Sequence, residues 1–328
     1  MKLLLEITTP IFLGGSDART LADVVRVPSI RGQVRYWLRA VLGRRVGNNI
    51  AALKEAENNL MGHTGASSLV RFQVTEGHPL ETADRYLLPH RQNKSKVPMT
   101  AFAEKQAFQL AVTPRPGLKA ISDDLLAALL LWLNLGGLGK RTRRGYGSLR
   151  CLRATAPEEM VSPDRLALFT AGPGESLPNY LGRILTWLDE AVPATSAEEK
   201  PDYPILAKPN AAVLVCEPTH AQGVDAQAPD FEQAMIPFWR DFLRAGPWRD
   251  DVAYGYADRN GRRASPFHWH ISQTAEGYRW VFTTFYSGST RQHDTDSNWA
   301  KVNRLLTAVQ QQTEGQLVWG QLPEVDHG

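Results

Sequence analysis

Gly136-Gly137-Leu138-Gly139-Lys140-Arg141-Thr142-Arg143-Arg144-Gly145-Tyr146-Gly147-Ser148 stands between the apolar run Asp123 to Leu135 and the strand-like run Ser148 to Arg153. The apolar run reads as a helix, with Asp123 and Asp124 after Ser122 meeting its positive end. Residues 136–150 hold five glycines and five basic residues, Lys140, Arg141, Arg143, Arg144 and Arg150, and no acid. Glycine lets backbone N–H groups come close to a phosphate, and arginine adds a planar, bidentate donor. Tyr146 offers a ring for stacking on a base. A Walker A loop is excluded, since it would need Gly at Asn134 and Ser or Thr at Arg141. The plainer alternative is a glycine-rich helix end and hairpin that happens to be basic.

Outward from this segment the chain reads as strands and helices in a repeating order. A strand fits residues 3–9 and ends at Thr9-Pro10, with Gly14-Gly15 beyond it. Ile30, Val34, Trp37, Leu38, Val41 and Leu42 make one apolar helical face, with Ser29 as N-cap after Pro28, and the helix ends between Gly43 and Gly47. A shorter helix fits Ile50 to Leu60, and strands fit Leu69 to Val74 and Ala107 to Thr113. Residues 157–209 carry eight of the 21 prolines and read as a connecting region, interrupted by an amphipathic helix over Tyr180 to Glu190. Beyond it, strand Ala211 to Cys216, helix Phe231 to Arg244, strands Phe267 to Ser272 and Tyr278 to Tyr286, helix Trp299 to Gln312 and strand Leu317 to Trp319 repeat the order. The reading is an α+β chain of two tandem ferredoxin-like (RRM-like, βαββαβ) units, residues 1–154 and 211–328, joined by residues 155–210.

Charge divides the same way. Residues 1–154 hold 23 Lys and Arg against 11 Asp and Glu, and residues 155–328 hold 14 against 23, so a net +3 splits into +12 and −9. A basic half suits a polyanion and an acidic half suits solvent or basic partners. Within the basic half, Arg31, Arg35 and Arg39 recur every four residues, Arg44 and Arg45 follow, and no acid lies between Val24 and Lys54. Like charges at that spacing repel by a few tenths of a kcal/mol per pair. An extended polyanion would offset this, as would acids supplied from elsewhere in the fold.

Three stretches carry a family resemblance: Thr9-Pro10-Ile11-Phe12-Leu13-Gly14-Gly15, Pro28-Ser29-Ile30-Arg31-Gly32-Gln33-Val34-Arg35-Tyr36-Trp37-Leu38-Arg39, and Gly136 to Ser148. Together they resemble the RAMP superfamily of CRISPR-associated proteins, and within it the first subunits of the Cmr (type III-B) RNA-targeting effector. Arg263-Ala264-Ser265-Pro266 is similar to a further stretch of that family, whereas Met61-Gly62-His63 departs from the aromatic residue it usually shows before glycine. The resemblance implies a non-catalytic RNA-binding subunit that holds the 3′ part of the guide RNA, the target RNA, or both, beside other effector subunits. It places RNA contacts at Gly136, Gly137, Gly139, Gly145 and Gly147 of the loop and at Arg31, Arg35 and Arg39, and the chemistry of the loop adds Lys140, Arg141, Arg143, Arg144 and Tyr146.

The alternative is a RAMP endoribonuclease that matures guide-RNA precursor without a metal. Such an enzyme needs a base, an acid and a cation within hydrogen-bond reach. The histidines that suit the work are His63, His90, His268 and His270. His268 and His270 share a strand face and read as a half-buried sheet surface, while His90 lies in the polar stretch Pro89 to Pro98. No catalytic residue, metal ligand or cofactor is therefore expected. Cys151 and Cys216 are too few for a disulfide framework and suit a reducing cytoplasm. The longest apolar run, Leu125 to Leu133, is nine residues, against about 20 for a membrane span. MKLLLEITTP meets Glu6 too early for a secretory signal, so none is expected.

Overall fold

The structure is a computed structural model; it describes the chain except residues 16, 18–19, 86–97, 196–200, most of 218–260, 288–294 and 322–328. The elements are β1 (Lys2–Ile7), α1 (Val27–Val46), α2 (Ile50–Met61), β2 (Val70–Thr75), β3 (Thr82–Arg85), β4 (Met99–Phe102), β5 (Ala107–Pro114) and α3 (Asp123–Leu135). A 3₁₀ turn over Thr142–Arg144 leads to β6 (Leu149–Thr155), α4 (Pro163–Ala167) and α5 (Leu177–Ala191). The second half adds β7 (Ala211–Cys216), β8 (Tyr256–Asp258), β9 (Gly261–Arg263), β10 (Phe267–Thr274), β11 (Gly277–Phe285), α6 (Thr295–Thr313) and β12 (Gln316–Gly320).

Two four-stranded sheets result, ordered β2-β5-β1-β6 and β10-β11-β7-β12. Every neighbouring pair is antiparallel. In the first sheet the alternation buries Leu3, Leu5, Ile7, Phe108, Leu110, Val112, Val70 and Phe72 against Val34, Trp37, Leu38 and Val41 of α1 and the apolar length of α3. The second sheet is covered on both sides. Val213, Val215, Val281 and Phe285 join that same core, while Leu214, Trp269, Trp280 and Phe282 pack on Val302, Leu305, Leu306 and Val309 of α6 and on Phe238. Helices α1 and α3 thus lie between the sheets.

Several expectations change. Helix α1 begins two residues earlier than Ser29, with Arg26 at the N-cap position making no side-chain cap and Pro28 in the first turn, where its missing N–H costs nothing. The hairpin of β3 and β4, four residues a strand, was not anticipated, because neither run alternates strongly enough to signal itself. The region 155–210 is more than a connector, since Tyr180, Leu181, Ile184, Leu185 and Leu188 of α5 are buried in the main core. The helix expected over Phe231 to Arg244 lies outside the described residues apart from Phe238 and Phe242. Among the described residues no helix is long and apolar enough to cross a membrane.

Candidate nucleic-acid interface

The glycine-rich segment folds against the turn after β1, and its glycines serve that packing. The Gly147 backbone has φ +69°, and a Cβ there would lie 1.9 Å from the Leu138 carbonyl oxygen. Gly139, at φ +95°, would meet the Phe12 carbonyl at 2.6 Å. The backbone N–H of Lys140 donates to Phe12 O, that of Gly147 to Pro10 O and that of Leu138 to Gly147 O. Thr9 Oγ1 donates to Gly145 O at 2.6 Å and accepts from the Ser148 N–H at 2.9 Å. Gly136, Gly137, Gly145 and Gly147 are buried. At Gly137, Gly139 and Gly147 the close approach is to this chain's own backbone, and at Gly136 it is to the Trp37 indole nitrogen and the Trp132 carbonyl. Tyr146 is enclosed as well. It is 1% exposed and packs edge-on against Phe12 at 5.3 Å, so no base can reach its ring.

The cations of the loop differ in exposure. Arg141, in the left-handed region at φ +61°, is exposed, and Lys140 and Arg144 are half-buried. Burial first and Arg141 second pull the Arg144 guanidinium below its ordinary pKa, and no ion pair is formed by its side chain among the described residues. Arg143 turns the other way: Nη1 donates to the Ser265 carbonyl, and the guanidinium lies 5.3 Å from the Tyr36 ring centroid.

Tyr36 joins the loop to α1. Its hydroxyl is 2.8 Å from His268 Nε2; burial pushes its pKa up while Arg143 and Arg39, both close enough to matter, pull it down. His268 is held well below its ordinary value by burial and then by Arg143. His270 donates from Nδ1 to Gly136 O at 2.8 Å and is pushed down to about 4 by burial, against that hydrogen bond. Both histidines are buried between the sheets, where burial disfavours their charged forms; the expected half-buried sheet surface is in fact fully covered. His63 is exposed in a tight turn where Nδ1 accepts the Gly65 N–H at 3.1 Å, and His90 lies outside the described residues.

The basic face of α1 needs no external polyanion. Glu57 of α2, 7% exposed, takes Arg35 Nη1 at 2.6 Å and Arg39 Nε at 2.7 Å. Arg35 Nη2 also donates to Met61 O and Gly62 O, and Arg31 Nη2 donates to Met61 O with its guanidinium 5.7 Å from the Phe72 ring. Arg45 pairs with Asp124 at 2.5 Å. Arg44, 1% exposed, binds Asp189 of α5 at 2.6 Å and donates to Val192 O and Leu206 O. The acids come from elsewhere in the fold, which is the alternative the sequence left open. One signal marked this: Leu53, Glu57 and Met61 recur every four residues along the buried stripe of α2, and an acid on an apolar stripe calls for a buried partner.

The two sheets meet edge to edge beside the loop. Ser148 Oγ accepts the Ile271 N–H of β10 at 3.0 Å, and Arg150 Nη1 donates to Gln273 O at 3.1 Å, so side chains from the β6 edge stand where a backbone ladder would be. The three resembling stretches and Ser265 thus converge on one junction.

Comparisons with known proteins agree with that convergence. Residues 4–150 match the RAMP superfamily. The chain is 31% identical over 173 residues to CRISPR system Cmr subunit Cmr1-2 of Pyrococcus furiosus, covering 44% of this chain and 91% of that one. It belongs to the Cmr1 family of RAMP proteins. With Cmr subunit Cmr1-1 of the same organism, identity is 33% over 147 residues, 40% of this chain and 42% of the relative. The crystal structure of apo Cmr1 from P. furiosus superposes with a TM-score of 0.66 at 19% identity, over 97% of this chain and 98% of that one. A chain of the type III-B Cmr-β complex bound to cognate target RNA and AMPPnP gives 0.57 at 13% identity, over 94% and 99%. At those identities the solved structures speak for the fold. Among the described residues no group of three His, Cys, Asp or Glu side chains could hold a metal ion.

Proposed function

We propose that this Cmr1-family chain is a non-catalytic RNA-binding subunit of a type III-B CRISPR effector, with its basic loop on the 3′ part of the guide RNA, the target RNA, or both. The observation that carries the reading is Arg144, a half-buried guanidinium beside Arg141, with its pKa depressed by burial and by that neighbour. The Arg144 N–H donates to Arg141 O, so one turn sets two guanidinium groups side by side, and a phosphodiester offers the bidentate acceptor that such a pair suits. Arg39, paired with Glu57 but with its side chain 48% exposed, extends the cationic ground toward α1. Arg31 and Arg35 contribute less in this reading, since their donors are already engaged. The histidine arrangement fits a binding role, because His268 and His270 are buried and their ring nitrogens are engaged with Tyr36 and Gly136 at the junction.

In this proposal residues 1–154 and 211–328 are two ferredoxin-like units and residues 155–210 bind them together. Their strand orders, with the first strand of each unit between its third and fourth, are those of a βαββαβ unit. The relatives are named as Cmr subunits and one related complex is bound to cognate target RNA, which supports RNA and neighbouring effector subunits as partners here too. The test is the Arg141→Glu/Arg144→Glu variant. Its affinity for labelled single-stranded RNA, read by anisotropy, should fall by several kcal/mol with folding intact, because each lost contact becomes a repulsion. Unchanged affinity in the folded variant would sink the proposal.

A further inference from the structure

Helices cover one face of the first sheet, and the other face carries an unusual set of residues. Register and alternation place Arg71, Gln73 and Thr75 of β2 there, with Ala107, Gln109, Ala111 and Thr113 of β5, Lys2, Leu4 and Glu6 of β1, and Arg150, Arg153 and Thr155 of β6. Glu6 is the one carboxylate among them, and it is matched by Arg150 at 2.8 Å. Lys2, Arg71 and Arg153 are exposed, and their side chains form no ion pair among the described residues. The remaining positions are uncharged: glutamine and threonine donors with small or aliphatic side chains, and no aromatic ring.

Arg153 reaches this face because of an irregularity. Leu5 pairs with Cys151 and Leu4 with Arg153, so Leu152 is an extra residue in β6. Without that bulge, strict alternation from Arg150 would turn Arg153 toward the helices. Bulges commonly re-aim a side chain in this way. As a result the cations form a diagonal from the loop end of β6 across the sheet: Arg150, Arg153 opposite Leu4, Lys2 one row on, and Arg71 two strands further.

We infer that this open face is a second RNA contact surface, which takes the phosphodiester backbone leaving the basic loop and reads no bases. The inference rests on the proposed RNA-binding role and extends the contact from the loop onto the sheet. Spaced cations with hydrogen-bonding glutamines and threonines between them suit phosphates and 2′-hydroxyls, and the lack of rings excludes the base stacking by which many sheet faces hold RNA. An acidic protein would bring carboxylates to the same cations, but it would seek a cluster of apolar anchors at the centre of its interface, and there Leu4 stands alone among Gln109, Ala111, Gln73 and Lys2.

The experiment compares two full-length variants, Lys2→Gln/Arg71→Gln/Arg153→Gln and Arg141→Gln/Arg144→Gln, binding short and long fluorescein-labelled single-stranded RNA over a salt series. Neutralising three phosphate contacts should lower the salt slope for the long RNA by about 2 and its affinity at low salt roughly a hundredfold. The short RNA, held by the loop, should bind almost as before, and base composition should not matter. If the face variant binds long RNA like wild type while the loop variant loses both RNAs, the inference fails and the loop reading survives. If neither variant changes binding, both fail. If the face variant keeps long-RNA binding yet no longer joins the other effector subunits, the face is a protein interface and the inference is overturned.

Discussion

Strand β1 alternates, with Leu3, Leu5 and Ile7 buried and Lys2 exposed, whereas β7, Ala211-Ala212-Val213-Leu214-Val215-Cys216, is buried at every position. Both are central strands of sheets with the same order of connections, so the difference lies in what each sheet faces. The first has helices on one side only and keeps a polar second face. The second is pressed between α6 and Phe238 on one side and α1 and α3 on the other. A strand's hydrophobic pattern therefore reports the number of covered faces as much as the presence of a sheet. The lesson extends to chemistry, since the one-sided sheet has room for exposed cations and the two-sided one buries even its histidines.

The sharpest way to break this contrast is truncation. Trp280→Ala, at a fully buried position of β11, should cost about 3–5 kcal/mol in denaturant unfolding. Gln109→Ala, on the open face of β5, should stay within about 0.5 kcal/mol. Equal losses would mean that the open face is covered in the folded protein.

The buried histidines give the two-sided sheet a pH signature. His270 has its folded pKa near 4 against an unfolded value of 6.5, so between those values the unfolded chain binds more protons. Its stabilisation is complete above about pH 6.5 and is lost as pH falls toward about 4. Lowering pH from about 7 to about 5 should remove on the order of 2 kcal/mol through this group. His270→Asn, which keeps a donor for Gly136 O without titrating, should flatten much of that dependence; an unaltered pH profile would show that His270 is not held neutral.

A smaller effect sharpens the account of α1. Arg35→Ala removes donors from Glu57, Met61 O and Gly62 O and should cost about 1–2 kcal/mol. Arg39→Ala, whose side chain is 48% exposed, should cost less than about 1 kcal/mol. Relief of like-charge repulsion would make both variants more stable, and thermal unfolding separates the two outcomes.

These cases mark what the sequence made legible. Helix α3 and strand β7 have the ends that periodicity assigned, because one is apolar all round and the other is a short apolar run between turns. The position of the basic loop was equally plain. What its residues touch was not: Tyr146 packs on Phe12, 134 positions earlier in the chain, and a one-dimensional pattern does not say which distant segment a glycine-rich turn folds upon. The partners of Arg35, Arg39, Arg44 and Arg45 were hidden for a related reason, since their counter-charges stand on α2, α3 and α5.

The seam made by Ser148 and Arg150 has a consequence for the order of folding. The Ser148 to Ile271 contact spans 123 residues and Arg150 to Gln273 also spans 123, so loop-closure entropy delays both until β10 exists and has docked. On the ribosome the first sheet can form as soon as β6 emerges, but its loop then lacks the partners of Ser148, Arg150 and Arg143 for the time needed to synthesise more than a hundred further residues. The basic loop thus acquires its final shape among the last parts of the molecule, and a nascent chain carries its strongest positive charge in an unfinished form until the second sheet closes against it.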